Sequence, residues 1–558
     1  MELHCRPCFE DLLTFPRQIL TRFVTLLQKE GENASLEGVH LLNEENDCIL
    51  GALIHATHRL YLLAEGEERS DLCRDLVGFF EMAATRPCGT WGKISLLSVL
   101  CELKADGALT LLPDTLLDVL REKTDIGDFY DKTLHVLIGK AANYYHVAAI
   151  CAALRARLGW ETEEMAKTVA AHLLAAVCTT GKEGFLDDQP PEGRFDSYTF
   201  MVAQALPDQC IEAGIPVPPY ALTNLKRAAQ AVLHMANEQG DGFVYGRSIG
   251  IYGDVAPLGL LLSAMKHGLL SEEEKAIAYS YILAILKKLW HFWYDEHRGC
   301  FNIWFDGRAT DGYREVHRLL EVNLSLSEKI LDVIDDLKKL SLWGTAPIPL
   351  PSPYKWEAHT VRFLNTESQK AAAILLRYQD TLAMLPCIGS GDLSSFSSYL
   401  PFPGIAGVLE AAPQSLAPYL VPEYVKDEEI FRPIQYYTEI KVTETAAGVR
   451  VDVSGNLAHP SRYPDRPTRT EYTFCTQYVF EGNFISARFE TDLPYDCVRM
   501  HTAKASKPAD IRAWGFTEST VLPLGTKDTV APHGAYAEYY EHTARTHDRV
   551  GWEITLSC

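Results

Sequence analysis

The feature that most constrains this sequence is a long series of helical segments joined by two alternating kinds of loop. Up to about residue 340, apolar residues recur at spacings of three and four, as on the buried face of an amphipathic helix. This pattern predicts twelve helices, at about 9–30, 46–65, 70–85, 90–106, 110–124, 130–158, 162–180, 195–214, 217–238, 247–268, 272–294 and 315–340.

The loops before the odd-numbered helices are short and plain, with acidic residues in the following first turn. Those before the even-numbered helices are generally longer and rich in glycine, aromatic residues, acids and arginines. Six helical hairpins closed into a ring would place all the elaborate loops on one face. We therefore predict an (α/α)6 toroid with its site on that face, in preference to an irregular helical array.

The hydrophobic period changes after a proline-rich segment, 341–360, which favours an extended linker. Beyond it, segments such as Tyr437–Thr443 and Gly448–Val453 alternate polar and apolar residues, as half-buried strands do. The predicted fold is mostly α with a β domain. Residues 1–345 form the (α/α)6 toroid catalytic domain, and residues 346–558 form an antiparallel β-sandwich domain.

The charge balance narrows the choice of partner. The 558 residues include 52 Lys and Arg against 74 Asp and Glu, a net charge of −22, which argues against binding nucleic acid or an anionic membrane. No targeting segment is visible and the 14 cysteines are scattered, so we expect free thiols in the cytoplasm. The pair Cys5 and Cys8 lacks the further ligands of a zinc site.

The strongest candidate for chemistry is the loop 184–198, which holds Asp187, Asp188 and Asp196 beside Arg194 and Tyr198. Carboxylates next to aromatic rings suit carbohydrate chemistry, because one can serve as a general acid while another stays ionised. The alternative is a solvated acidic loop in which Asp196 merely caps the next helix.

A second cluster lies at 241–253. Its G-x-S-x-G pattern lacks the preceding strand that a serine hydrolase needs, so we interpret Ser248 as a helix N-cap. Arg247 then projects from the start of an inner helix as a candidate reader of a uronic acid carboxylate. Tyr245 and Tyr252 flank it and are candidates to stack on a sugar or donate a proton.

Further candidates lie on other predicted inner helices. Glu321 is a possible second carboxylate, or else a surface glutamate. Asn143 and His146 interrupt an apolar helix, where they suit either a polysaccharide lyase or a sugar subsite. Trp91, in an aromatic loop, is a further predicted substrate contact. No cofactor and no metal site is predicted.

In order and content, these motifs resemble those of bacterial proteins grouped as domain-of-unknown-function family 2264, which we associate with glycoside hydrolase family 154, the exo-acting β-glucuronidases. The resemblance rests on Asn143–His146, Gly193–Tyr198, Tyr245–Ser248, Glu321–Ser325 and Pro347–Pro351. Departures at Asp196–Tyr198 and Leu324–Ser327 mark a divergent member.

The resemblance implies an (α/α)6 toroid followed by a β-sandwich. It implies Asp188, Asp196 and Glu321 as catalytic carboxylates, with Arg247, Tyr245 and Tyr252 as uronate contacts.

Three functions remain open at this stage. The first is a glycoside hydrolase that removes a uronic acid from a short oligosaccharide or glycoside. The second is a lyase that cleaves by β-elimination with Tyr252 or His146 as base. The third is a non-catalytic sugar-binding protein. A small-molecule substrate is expected in the first two cases, and homo-oligomerisation is compatible with all three.

Overall fold

The structure is a computed structural model that describes residues 9–36, 38–42, 48–181, 183–188, 190, 193–309, 318–388, 401–410, 419–460, 467–504, 509–525, 529–545 and 549–557. The pair Cys5 and Cys8 lies outside the described residues. The described part of the chain contains twelve α-helices: α1 Phe9–Glu30, α2 Ile49–Leu63, α3 Gly66–Thr85, α4 Thr90–Ala105, α5 Asp114–Lys123, α6 Tyr144–Leu158, α7 Glu163–Thr180, α8 Ser197–Glu212, α9 Pro219–Met235, α10 Ile251–Lys266, α11 Glu272–Lys288 and α12 Arg318–Lys339.

The even-numbered helices form a closed ring. In order, α2 packs on α4, α4 on α6, α6 on α8, α8 on α10 and α10 on α12, and α12 packs back on α2. Odd-numbered helices cover the outside, as α7 does against α6 and α8, and α9 against α8 and α10. This arrangement confirms the predicted (α/α)6 toroid.

The two kinds of helix bury different amounts of surface. The outer helix α1 buries one stripe, from Leu12 through Phe15, Ile19 and Phe23 to Leu27, because only one side faces the ring. The inner helix α10 is buried almost all round, since it has neighbours on both sides and outside. Three- and four-residue spacing is therefore clearest in the outer helices.

Two predicted helix boundaries are wrong. The segment predicted as one helix over 130–158 begins with a hairpin of β3 Tyr130–Asp131 and β4 Val136–Leu137. There the Asp131 carboxylate accepts the Thr133 and Leu134 N–H groups at 2.8 and 2.9 Å, and so closes a turn that competes with a helix. The helix predicted over 272–294 ends at Lys288, and a π-helical turn follows over Leu289–Trp293.

Two other short hairpins lie in the helical part, β1 Ser35–Leu36 with β2 Val39–His40, and β5 Tyr294–Asp295 with β6 Cys300–Phe301. The strands that follow the helices are β7 Glu357–Asn365, β8 Lys370–Tyr378, β9 Thr381–Cys387, β10 Gly404–Ile405, β11 Glu423–Lys426, β12 Glu429–Phe431, β13 Tyr437–Glu444, β14 Gly448–His459, β15 Thr468–Glu481, β16 Phe484–Thr491, β17 Cys497–Lys504, β18 Ala509–Trp514, β19 Glu518–Val521, β20 Val530–Ala531, β21 Gly534–Ala535, β22 Glu538–Ala544 and β23 Val550–Leu556.

In the described residues, these strands make three main antiparallel sheets and the short β20–β21 hairpin. The sheet orders are β10-β9-β8-β7, β12-β11-β17-β22-β19 and β13-β14-β15-β16-β23-β18. Strand β8 is buried on both faces: Ala373 and Leu375 share a core with the helices, and Ile374 and Leu376 share one with the other strands. The first sheet therefore lies between the ring and the rest of the β region, as a third layer.

The proline-rich segment before β7 is docked along the helices. The Ile348 N–H donates to Ser280 Oγ at 2.9 Å, and the Leu350 N–H donates to Glu238 at 2.8 Å. The division into domains at 345 and 346 stays a prediction, because the first sheet shares its core with the helices. Among the described residues, no helix is both long and apolar enough to cross a membrane.

Candidate active site

The predicted site residues lie mostly at one end of the ring. Successive inner helices run in the same direction, because an outer helix returns the chain between them. Their N-terminal ends, and the elaborate loops that precede them, therefore share one face. The first turns, or the residues just before them, carry Trp91 on α4, Asn143 on α6, Tyr198 on α8, Tyr252 on α10 and Glu321 on α12.

Asp188 is a buried carboxylate between two arginines. One oxygen accepts the Asn143 N–H at 2.9 Å, and the other accepts Arg194 Nε at 2.9 Å and lies 2.6 Å from Arg247 Nη2. Burial alone would raise the pKa of Asp188, but Arg247, Arg194 and the Asn143 N–H outweigh it and hold that pKa below its ordinary value. Asp188 is therefore an ionised group at neutral pH.

Asp196 is fully buried, and each of its carboxylate oxygens accepts a different hydrogen bond. One oxygen accepts the Tyr198 N–H at 3.0 Å, which caps α8, and the other accepts Arg247 Nε at 2.9 Å. The alternative of a solvated loop is wrong, because Asp188 and Asp196 are both buried. The predicted helix cap is confirmed, but the same carboxylate also binds the arginine.

The loop before α10 reaches Asp196 through a glycine. Gly246 has φ +86°, and a Cβ at that position would lie 2.4 Å from the Cβ of Asp196. Only glycine permits this approach, which brings Arg247 within reach of both carboxylates. The N-cap assigned to Ser248 is wrong: α10 begins at Ile251, and Ser248, at φ +60°, lies 3.1 Å from the Tyr198 hydroxyl through its Oγ.

Three tyrosines near Arg247 differ in their surroundings. The Arg247 guanidinium lies over the Tyr198 ring at 4.3 Å, so Tyr198 serves as a platform for the arginine. Tyr245 is buried, and burial together with Asp196 raises the pKa of its hydroxyl far above the ordinary value. It is unsuited to give up its proton at neutral pH. Tyr252 remains half-buried in the first turn of α10.

The start of α6 adds an aromatic pair and a buried histidine. Tyr144 packs edge-on against Trp91, with ring centroids 6.1 Å apart. His146 is buried and lies 2.7 Å from Gln209 of α8 through Nδ1. Burial outweighs that hydrogen bond and lowers the pKa of His146 to about 4, so it is neutral at pH 7.

Glu321, the third predicted carboxylate, is distant in sequence from Asp188, Asp196 and Arg247. Glu321 is half-buried in the first turn of α12, and Ser325 lies one turn further on the same side.

Asp187 is buried and accepts the Arg194 N–H at 3.0 Å, and thus shapes the loop that carries Asp188. Among the described residues, no cluster of three histidine, cysteine or acidic side chains is arranged to hold a metal ion.

Sequence reasoning missed two aromatic residues. Tyr144 lies inside a run that was singled out, and its electrostatic contacts with Tyr198 and Arg247 place it at the site. Phe363 of β7 stacks on Phe195 of the Asp188 loop, with centroids 4.7 Å apart and planes 3° from parallel. The sequence signal for Tyr144 was its place between Asn143 and His146. No sequence pattern near Phe195 or Phe363 indicates that these two residues stack, because they are far apart in the chain.

No protein-family model matches the sequence, and no curated protein matches it. Two solved structures are similar in part. One is described as a possible member of the GH105 family from Salmonella enterica subsp. enterica serovar Paratyphi A str. ATCC 9150, with 11% identity, 60% of this chain and 97% of that chain covered, and a TM-score of 0.38. The other, from Klebsiella pneumoniae subsp. pneumoniae MGH 78578, bears the same description, with 12% identity, 60% and 95% coverage, and a TM-score of 0.37.

Proposed function

We propose that the protein is a glycoside hydrolase that removes a terminal, glucuronide-type uronic acid from short oligosaccharides or glycosides. The observation that carries this proposal is the shared contact of Asp188 and Asp196 with Arg247, at the N-terminal end of the inner helices. Buried carboxylates fixed beside tyrosine and tryptophan rings are the groups that glycosidic bond cleavage requires. The resemblance to the β-glucuronidases of family 154 points to the same chemistry.

The proposal assigns separate roles to the carboxylates. Asp188 stays ionised between Arg194 and Arg247, so it holds the arginines and stabilises positive charge as the bond breaks. Proton donation to the leaving group falls to Glu321, because both oxygens of the buried Asp196 already accept hydrogen bonds, from the Tyr198 N–H and from Arg247 Nε. Replacing Glu321 by glutamine tests this role, because the acid is needed least when the leaving group is already a good one.

The experiment compares 4-nitrophenyl β-D-glucuronide with the matching β-D-glucoside and measures released nitrophenol. We expect hydrolysis of the glucuronide, and a loss of at least about 100-fold in kcat for Asp188→Asn and Asp196→Asn, which hold Arg247. Glu321→Gln, which removes the acid, should lose as much with methyl β-D-glucuronide, whose leaving group is poor, and far less with the 4-nitrophenyl substrate. Glu296→Gln, an exposed acid in the loop before α12, is the matched control and should retain full activity. Retention of activity by all three site variants would refute the assignment.

A β-eliminating lyase is the second candidate, and the position of Tyr252 favours it. This tyrosine is half-buried in the first turn of α10, whereas Tyr245 is buried and His146 is buried and neutral. A lyase forms an unsaturated uronate, which absorbs in the ultraviolet. The appearance of that absorbance with uronate oligomers, and its loss in Tyr252→Phe, would select the lyase over the hydrolase.

A further inference from the structure

The six-stranded sheet β13-β14-β15-β16-β23-β18 has one polar face that is directed away from the core. On the other face, Val451, Val453 and Tyr478 pack into the core that the strands share. Asp452 and Gln477 alternate with these residues along β14 and β15, so they point to the opposite side, where both are half-buried. The polar face is therefore accessible in part, although it lies on a regular sheet.

The strand register aligns one residue from every strand in a single row across this face. From β13 to β18, the paired residues are Lys441, Asp452, Gln477, Arg488, Gly551 and Trp514. Five strand spacings of about 4.8 Å make this row about 24 Å long. An extended ligand that followed the row would cross the strands at right angles and contact all six of them.

Strands β13 to β16 border a hollow of about 380 Å³ along the row, a volume within the range of ligand pockets. Neighbouring side chains hold its polar groups in place. Asp452 accepts Arg450 Nε at 2.9 Å and Gln477 Nε2 at 3.0 Å, and Arg488 donates to Glu490 at 2.5 Å. These planar groups are ordered before a ligand arrives, which lowers the entropic cost of binding.

Trp514 covers the glycine at the β18 end of the row. A Cβ on Gly551 would lie 2.3 Å from Cζ2 and 2.6 Å from Cε2 of Trp514, so the indole occupies the space above that glycine. Because Trp514 is only half-buried, part of its ring is open to solvent. Gly551 pairs with Arg488, so the indole borders the end of the hollow.

The groups on this face match a neutral carbohydrate chain. The apolar C–H face of a sugar ring can pack on an indole, while its hydroxyl groups bond to planar polar side chains. The charged residues that line the hollow are three acids and two bases: Glu439, Asp452, Glu490, Lys441 and Arg488. On a chain of net charge −22, such a lining does not attract a polyanion.

We infer that the row from Lys441 to Trp514 is a second carbohydrate-binding site, which holds a neutral oligosaccharide chain. Its residues belong to the β region and differ from those of the candidate active site on the inner helices. The inference goes beyond the proposed function, because a site of this kind binds a glycan without changing it.

The test measures binding of cellohexaose, xylohexaose and mannohexaose by calorimetry. We expect the wild type to bind at least one of these neutral chains. Trp514→Ala should weaken that binding by at least about 10-fold and Gln477→Leu by about three- to tenfold, with most of the affinity kept in Trp514→Phe. Tyr354→Ala, which removes an aromatic side chain that is 85% exposed outside this face, is the matched control and should bind like the wild type.

Two cysteines allow the bound chain to be located. Cys475 is exposed and lines the hollow, whereas Cys178 is an exposed thiol on α7. Alkylation by iodoacetamide, followed by mass spectrometry of the peptides, should be slowed by the bound hexasaccharide at Cys475 and unchanged at Cys178. This measurement uses the unaltered protein, so it decides the question even if Trp514→Ala lowers Tm.

An indole that only fills the space above Gly551 would leave binding unchanged when it is removed. Equal binding by the wild type and Trp514→Ala, equal alkylation of Cys475 with and without the chain, or binding of none of the three chains would therefore overturn the inference. Hydrolysis of 4-nitrophenyl β-D-glucuronide should be the same in Trp514→Ala and the wild type. If the glucuronide is hydrolysed but no chain binds, the inference is wrong and the proposed function stands. If a chain binds through Trp514 but no glucuronide is hydrolysed, the proposed function is wrong and the second site stands.

Discussion

Arg247 Nη2 lies 2.6 Å from Asp188 Oδ2, and this contact joins two loops that precede different inner helices. Through Nε, the same guanidinium also binds Asp196, the N-cap of α8. All three side chains are almost completely removed from solvent. The arginine therefore fixes the two carboxylates relative to each other, and each loop depends on the other for its charge balance.

Replacing Arg247 by methionine keeps most of the side-chain volume and removes the charge. It leaves Asp188 with Arg194 alone and Asp196 without its cation, so we expect a loss of about 3–5 kcal/mol in the free energy of unfolding, together with loss of activity. Urea denaturation measures the free energy of unfolding. Arg450→Met, which removes an exposed pair with Asp452, should leave the free energy of unfolding nearly unchanged. A similar small loss for both variants would contradict the coupling.

Substituting Gly246 by alanine tests whether the close approach to Asp196 matters for activity. The new Cβ would meet the Cβ of Asp196 at 2.4 Å, so the loop or the aspartate must move. We expect kcat for the glucuronide to fall by at least about 10-fold, because small displacements of catalytic groups are costly. Gly482→Ala is the control: its φ is also positive, at +53°, but a Cβ there has nothing within 4 Å. It should lose about 1–2 kcal/mol of stability from backbone strain and no activity.

The ring also depends on a glycine contact between its first two inner helices. A Cβ on Gly51 of α2 would lie 2.6 Å from the carbonyl oxygen of Gly92 on α4. All the atoms that this Cβ would meet belong to the Gly92 backbone and cannot rotate away, so we expect Gly51→Ala to lower Tm markedly. Gly78→Ala on the outer helix α3 meets nothing within 4 Å and should raise stability by about 0.5–1 kcal/mol. Equal effects of the two changes would rule out helix packing as the cause.

The ring, and the gathering of the elaborate loops at one end of it, were predictable from sequence, because loop composition alternates along the chain and follows the direction of each helix. The start of α6 was not predictable, because the apolar residues of the Tyr130–Leu137 hairpin recur at helical spacing. The turn of that hairpin is instead closed by Asp131. Asp188, Asp196 and Arg247, which the structure brings together, were all singled out from the sequence. That they pair with one another was not predictable, because the contact of Arg247 with Asp188 depends on how separate loops fold against each other.

Acidification should destabilise the protein through His234 of α9. Its ring lies 5.4 Å from that of His359 on β7, and its carbonyl oxygen accepts Arg377 Nη1 at 3.5 Å. Burial, His359 and Arg377 lower the pKa of His234 to about 4, against about 6.5 in the unfolded chain. Between these values the unfolded state binds more protons than the folded state. The stability that depends on a neutral His234 is therefore fully present above pH 6.5 and is lost as the pH falls toward 4.

We expect His234→Asn to flatten the pH dependence of stability in this window by the order of 2 kcal/mol, measured by urea denaturation at pH 4.5 and 7.5. His146 has its pKa lowered in the same direction, so the double variant should flatten the profile further. Substituting the exposed His297 by asparagine is the control and should leave the profile unchanged. An unaltered slope in His234→Asn would show that the histidines at the junction of α9 and β7 do not contribute to acid sensitivity.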